Sequence, residues 1–455
     1  MKTISLLLQS GALALSLLAS SVMAAVSADE AAKLGSTLTP IGAEKAGNAD
    51  GSIPEWTGGL PQNAGAVDAK GFLADPFADE QPLFTITAQN LDQYKDKLTP
   101  GQIALLKRYP SSYKMPVYKT HRSASVPQSV LAEAKSNAVN TRLVEGGNGL
   151  ENFHNSYAFP IPQNGLEVIW NHITRYRGGS VRRLLAQAMP QVNGSYNLVT
   201  MQDDFAWPIS LTKNDPSEAS NVLFYYKQRV TGPARLAGDV LLVHETINQV
   251  KEPRLAWLYN AGQRRVRRAP QAAYDGPGTA ADGLGVTDNL DLYNGAPDRY
   301  EWKLSGKKEI YIPYNSYKLD SPQLKYDDIV RAGHINQDLT RYELHRVWHV
   351  TATLKPGARH IYAKRDYFID EDTWQIAEAD HYDGRGDLWR VGEGHSQFYY
   401  HKQVPWYTME ALYELTSGRY LAVGMKNEEK RSYDFGGATM AGDYTPAALR
   451  QTGVR

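Results

Sequence analysis

From Ser180 to Met425 apolar and polar positions alternate with a period of two in one stretch after another, as they do where side chains point to opposite faces of a sheet. Strands are predicted over residues 181–191, 195–205, 221–230, 238–250, 254–259, 264–268, 300–304, 309–314 and 345–354. The clearest signal follows. Residues 362–369 and 374–382 flank the short polar turn Asp370-Glu371-Asp372-Thr373, and Asp383-Gly384 then turns the chain into a strand over 387–391. Residues 395–402, 411–415 and 420–425 complete the series, the last two joined at Ser417-Gly418. Asn193-Gly194 is the strongest short hairpin signal in the chain. Strands in near-continuous succession, without helices alternating between them, predict one large antiparallel sheet, strongly curved or partly closed.

Before Ser180 the periodicity is helical but brief. Helices are predicted over 88–97, over 100–108 with Thr99 as cap and Pro100 in the first turn, and over 127–138 after Ser125. Another spans 164–173, with Leu166, Ile169, Trp170 and Ile173 on one stripe that suits either core packing or a lid over a cavity. Ser27-Ala28-Asp29-Glu30 has capping-box spacing. Residues 42–59 hold too many glycines for a regular element, so Trp56 is expected to pack across the main body. Residues 270–294, rich in Gly, Ala and Asp, form a long excursion of the kind that is usually functional or mobile.

Composition places the chain. Met1-Lys2 precedes an apolar run over 4–18 and the small residues Ala24-Ala25, the layout of a secretory signal over 1–24, and the run is shorter than the ~20 residues of a spanning helix. With 0 cysteines there is no lipobox acylation, disulfide or thiolate metal site, so a periplasmic protein that is not a lipoprotein is expected. Lys plus Arg and Asp plus Glu balance at 49 each, which favours no nucleic acid. The 28 tyrosines and 9 tryptophans, against 10 phenylalanines, suit a sheet that is apolar on one face and wet at its rim.

Motifs for catalysis are weak throughout. His345 and His349 have helical metal-ligand spacing, but on a strand four residues span about 13 Å, too far to share an ion. Asn48-Ala49-Asp50-Gly51 lacks the later glutamate of a calcium loop. Ser111-Ser112-Tyr113-Lys114 has serine-x-x-lysine spacing with no supporting motif, and there is no G-x-S-x-G elbow. Asp380 and Asp383 read as exposed turn residues rather than an acid/base pair. No catalytic residue, metal or cofactor is therefore assigned. Arg264-Arg265-Val266-Arg267-Arg268 is the one dense basic patch, either a solvated strand end or a contact for anionic headgroups or an acidic partner.

Several stretches carry a resemblance: GAEKAGNADGSIPEWTGGL (42–60), NGLEVIWNHITRYRGG (164–179), AWLYNAGQRRVRRAP (256–270), TDNLDLYNGAPDRYEWKLSGKKEIYIPY (287–314), and IDEDTW with YDGRGDLWR in the meander. Through them the chain resembles the Gram-negative family catalogued as domain of unknown function 1329, whose second half is similar to the LolA/LolB lipoprotein carriers. The resemblance implies a mainly β fold with short helices: an unclosed, bent antiparallel half-barrel over 164–455, plugged by helices, behind a helical and coil extension over 25–163. It also implies partners, a transporter of the resistance-nodulation-division type and an outer-membrane protein. The resulting expectation is a non-enzymatic periplasmic carrier of a lipid or other hydrophobic ligand, with peripheral membrane contact; the alternative is an adaptor of a transporter complex that holds no ligand. Trp170, Trp257, Tyr259, Trp302, Trp348, Tyr362 and Trp374 are the expected lining, with Arg264, Arg265, Arg267 and Arg268 at the mouth.

Overall fold

A computed structural model describes residues 26–212, 220–269, 272, 274–436 and 439–453; the expected signal segment over 1–24 lies outside them. The alternating stretches form β1 (Val181–Pro190), β2 (Tyr196–Ala206), β3 (Val222–Gly232), β4 (Val240–Thr246), β5 (Leu255–Asn260), β6 (Arg265–Arg268), β7 (Tyr300–Pro313), β8 (Tyr342–Leu354), β9 (Lys364–Asp370), β10 (Ile376–Tyr382), β11 (Leu388–Tyr399), β12 (Val404–Glu414) and β13 (Tyr420–Met425). All belong to one unclosed sheet of 16 strands. Its spatial order runs β7 to β13 and then β1 to β6, because β13 pairs with β1, Ala422 opposite Ala188. Pairing is antiparallel except where Val117, in the short strand Met115–Val117, meets Tyr342 in parallel. The chain between β6 and β7 therefore has to travel from one end of the sheet to the other.

Alternation misplaces some ends. Residues 300–304 and 309–314 are one strand, β7, bulged between Leu304 and Gly306, and 387–391 and 395–402 merge into β11, bulged at His395 and Ser396. One extra residue at a bulge flips the parity while pairing continues, which breaks the period without ending the strand. Residues 88–97 make only the tight turns Leu91–Gln93 and Lys95–Lys97. There the Asn90 side chain accepts the Thr87 N–H and donates to the Thr85 carbonyl, competing with a helical backbone. In the turn after β10 the left-handed residue is Gly386, with φ 87°, rather than Gly384.

Helix α1 (Pro100–Arg108) starts at a Thr99/Gln102 capping box, α2 (Gln128–Asn140) follows Pro127, and α3 (Gly165–Thr174) is capped by Asn164. They lie on different faces. The row Val350, Tyr367, Ala379, Gly392, Leu412, Leu421 shares one face across β8 to β13, and Ile169, Trp170 and Ile173 of α3 join the apolar cluster that holds Val350, Tyr367 and Ala379. Leu105 and Leu106 of α1 cluster with Val391, Ala411 and Tyr413 on the opposite face. Gly101 donates its N–H to Asp380 Oδ2 at 3.0 Å, and a Cβ there would sit 2.1 Å from Asp380 Oδ1.

Both faces of β9 to β12 are covered, so this part of the sheet is apolar on two faces rather than on the one expected. The turn Asp370-Glu371-Asp372-Thr373 is buried, with Glu371 and Asp372 at 2% and 4% exposure, and Asp380 is buried too, contrary to its reading as an exposed turn residue. Arg122, from the segment before α2, grips Asp372 through two hydrogen bonds of 2.8 and 2.7 Å. Trp56 is half-buried and donates its indole N–H to the Ala124 carbonyl at 2.9 Å. No helix among the described residues is long and apolar enough to cross a membrane.

Candidate functional site

The connection from β6 to β7 crosses the α3 face of the sheet and roofs a cavity of about 590 Å³. That volume lies in the ~300–1,000 Å³ range of small-ligand sites. The floor is set by strand parity: Leu185 and Gln187 on β1, Phe224, Tyr226, Gln228 and Val230 on β3, Leu241 and Val243 on β4, and Leu258 on β5. Met409 and Glu410 of β12 and Leu421 and Val423 of β13 close one side. Residues 276–281 and 285–291 form the roof.

The roof has two unlike halves. Its first half folds back on itself at a Pro277–Val286 bridge and rests on the sheet through Ala281 and Leu284, which pack with Leu185, Leu412 and Leu421. Gln187 Nε2 donates to the carbonyls of Thr279 and Ala280 at 3.0 and 2.7 Å, and a Cβ at Gly285 would come within 3.2 Å of Leu421. Its second half is pinned by charge. Asp291 takes hydrogen bonds from Arg175, at 2.7 and 2.6 Å, and from Arg177, both just beyond α3, while Asp288 pairs with Arg365 at 2.7 Å and with His360 at 3.0 Å. Against burial, which pushes it up, the two guanidiniums hold the Asp291 carboxyl far below the usual carboxylate range.

Charged groups at the cavity wall are paired internally. Arg183 meets Asp203 with two bonds of 2.7 and 2.6 Å, and the Tyr226 hydroxyl donates to the same carboxylate at 3.3 Å. Arg254 pairs with Glu245 and also donates to the Ala272 and Asn294 carbonyls at 2.7 and 2.9 Å. Glu410 is different. It lines the cavity with no cation bonded to it, accepts the Leu292 N–H at 3.1 Å, and is pushed up to about 8 by burial and by neighbouring Asp291.

None of the seven aromatic residues picked out from the sequence lines this cavity. Trp257 and Tyr259 flank Leu258 on β5 and face the other way, in a cluster with Leu242 and Tyr444; a one-residue parity choice moves them from one face to the other. Trp170 is buried in α3 and donates to the Gly147 carbonyl at 3.0 Å. Trp348 and Trp374 come together, stacked at 6.0 Å, and Trp374 donates to the Ile41 carbonyl at 2.8 Å. Trp302 stacks on Tyr367 and donates to the Pro297 carbonyl at 2.9 Å. Tyr362 stacks on His381 and takes a bond from Arg390 at 2.9 Å. These side chains are packing.

The arginines divide by face. Arg267 stands opposite Leu258 in register and Arg265 opposite Asn260, so both share the cavity face at the end of the sheet, where they are exposed. Arg268 lies opposite Trp257 with its guanidinium 5.3 Å from the ring, and Arg264, also exposed, occupies the turn with φ 54°. What the sequence does not mark is the floor itself, above all Leu241, Gln228 and Glu410. The legible signal for the site is the excursion over 270–294, which supplies its roof.

Two other clusters bear on catalysis or metal. His345, Asp370 and Asp372 bring ligand-type atoms within 4.8 Å of one another, but the Asp372 carboxylate is occupied by Arg122. His349 takes no part and sits 3.1 Å from Asp366 while stacking on Phe368. Ser112 Oγ lies 2.9 Å from His334 Nε2, yet His334 Nδ1 is bonded to the Ile335 carbonyl rather than to a carboxylate, and Lys114 pairs with Asp338. That arrangement lacks the orienting acid of a hydrolase triad.

The fold and site define an open-sheet β protein with an internal cavity roofed by one long connection. Residues 85–450 match the family described as "Protein of unknown function (DUF1329)", and the chain belongs to that family. It is 76% identical, over 455 residues and 100% of both chains, to an uncharacterized protein of Pseudomonas aeruginosa. Among solved structures, a domain named for outer membrane lipoprotein sorting from Vibrio parahaemolyticus aligns with a TM-score of 0.43 at 13% identity, covering 63% of this chain and 98% of that one. A DUF1329 family protein from Desulfovibrio piger aligns with a TM-score of 0.40 at 12% identity, covering 60% and 92%.

Proposed function

We propose that the chain is a non-catalytic periplasmic carrier that holds one hydrophobic ligand between the sheet and its roof. The observation that carries this reading is the cavity of about 590 Å³ with a mostly apolar floor, covered by a roof whose first half is held by apolar contacts and by the Gln187 side-chain amide donating to two roof carbonyls. Burial supplies the affinity, at about 0.8 kcal/mol for each methylene removed from water, less the cost of ordering the chain. Residues 164–455 serve as the container, and the preceding extension is a fixed cover that packs on both faces, α1 opposite the cavity and Val130 and Ala134 of α2 in the same cluster as α3. Arg265 and Arg267, exposed beside Leu258, suit contact with an anionic membrane surface during loading or release. A relay from an inner-membrane transporter of the resistance-nodulation-division type to the outer membrane belongs to the same proposal, and in vivo crosslinking tests it.

The decisive experiment is native mass spectrometry of protein purified gently from periplasm, followed by lipid extraction. A stoichiometric apolar adduct is the expected result. A clean ligand-free mass that persists after incubation with membrane lipids removes the carrier reading.

A further inference from the structure

The unpartnered polar side-chain atoms inside the cavity are two acceptors, on Gln228 and Asn294, and one neutral donor, Asn289 Nδ2. Gln228 and Asn294 both line it, and in each the amide nitrogen is already committed: Gln228 Nε2 donates to the Tyr226 hydroxyl at 2.7 Å and Asn294 Nδ2 to Glu245 Oε2 at 3.2 Å. These partners fix the orientation of both amides, since the Tyr226 hydroxyl spends its own proton on Asp203 and Glu245 can only accept. Gln228 Oε1 and Asn294 Oδ1 remain as buried acceptors with no partner. A buried acceptor without a donor is costly, so both are places where a ligand group gains a hydrogen bond that the protein does not supply.

The cations at the wall offer no such opening. Arg183 is held bidentate by Asp203, and Arg254 is held by Glu245 and two carbonyls. Arg175 and Arg177 lie behind Asp291. An anionic headgroup drawn into this space would find two acceptors, a single neutral donor at Asn289 Nδ2 and cations already matched, too little to replace its hydration. Glu410, pushed up to about 8 by burial, keeps its proton at neutral pH, so it adds a neutral group that can donate as well as accept and brings no positive charge for an anion.

We propose that the cavity selects an apolar molecule carrying a neutral hydrogen-bond donor, a hydroxyl or a primary amide, bound by Gln228 Oε1 and Asn294 Oδ1, and discriminates against a carboxylate or phosphate on the same chain. This rests on the carrier reading and names its ligand class. The arginines of β6 then meet the membrane from outside and play no part in holding the ligand.

The test offers the full-length mature protein 1-dodecanol, dodecanoate and dodecyl phosphate at pH 7, with binding read by native mass spectrometry and by displacement of a fluorescent apolar probe. The alcohol should bind about tenfold more tightly than either anion, the scale expected for one satisfied acceptor. Gln228→Leu should remove most of that preference while retaining a bound alkyl chain and an unchanged melting temperature. Dodecanoate or dodecyl phosphate binding as tightly as the alcohol overturns the donor assignment and leaves the carrier intact. Failure of all three probes and of the apolar dye to bind overturns the carrier reading itself.

Discussion

Strands β9 to β12 and strands β3 to β5 belong to one sheet, yet they solve different problems. The first group is covered on both faces, by α1 on one side and by α3 with the second half of the roof on the other, and it buries Asp370, Glu371, Asp372, Glu378, Asp380 and Glu393 along with its aromatic residues. The second group covers only its outer face closely and leaves Leu241, Leu258 and Gln228 facing an open volume. Aromatic richness marks the part that is packed solid. Room for a ligand lies where aliphatic side chains such as Leu185, Leu241 and Leu258 stand beside Phe224 and Tyr226 and the cover is a glycine-rich connection.

This contrast can be broken most severely at the pinned half of the roof. Asp291→Ala leaves Arg175 and Arg177 buried without their counter-ion, and stability to urea should fall by about 3–5 kcal/mol. Retained stability would mean that the pinning is incidental. A matched pair of substitutions sharpens the comparison. Trp374→Ala in the packed part should cost about 3–5 kcal/mol, whereas Leu241→Trp, growing into the cavity, should change stability by less than about 1.5 kcal/mol and abolish ligand retention in native mass spectra. Ligand still bound to a stable Leu241→Trp variant would place the ligand elsewhere.

The covered strands should also show in pH dependence. Burial pushes Asp380 up to about 7, against the lowering effect of the Gly101 N–H, so the folded state keeps a proton that the unfolded chain loses near its ordinary value of 3.8. Its contribution to stability is therefore complete at pH below about 4 and declines until pH about 7, by at most about 1.4 kcal/mol per pH unit. Asp380→Asn should become steadily more stable relative to the parent chain across that window in urea titrations. A difference that does not vary with pH would contradict a neutral buried Asp380. The smallest expected effect is at the rim: reversing charge with Arg265→Glu and Arg267→Glu should leave stability within about 0.5 kcal/mol while weakening sedimentation with anionic vesicles. Undiminished vesicle binding would take away the mouth assignment.

Local signals in the sequence are reliable where local forces decide. The Thr99 and Asn164 caps, the hairpin at Asn193-Gly194 and the long succession of strands appear as the pattern predicts, and the excursion over 270–294 supplies the roof at residues 276–281 and 285–291. Errors arise where a distant segment overrides the window. Asp370 to Thr373 have turn chemistry and do form a turn, but Arg122, some 250 residues earlier, covers it. Residues 404–410 escape detection as a strand because burial on both faces removes the alternation that marks one. Parity accounts for the aromatic residues: Trp257 and Tyr259 rightly share a face, and nothing within β5 says which face encloses the cavity.

The pairing of β13 with β1 sets an order of assembly. A chain emerging from its N-terminus first releases β1 to β6 well before β13, so the seam between Ala188 and Ala422 can form only when nearly the whole protein is available. Such distant pairing is slow and leaves strand edges exposed while it waits. Leu185 and Gln187 on one side of that seam, and Leu421 and Val423 on the other, all belong to the cavity wall. A nascent or truncated chain ending before residue 420 thus lacks one wall of the cavity, and on the proposed carrier reading only a finished molecule could take up cargo.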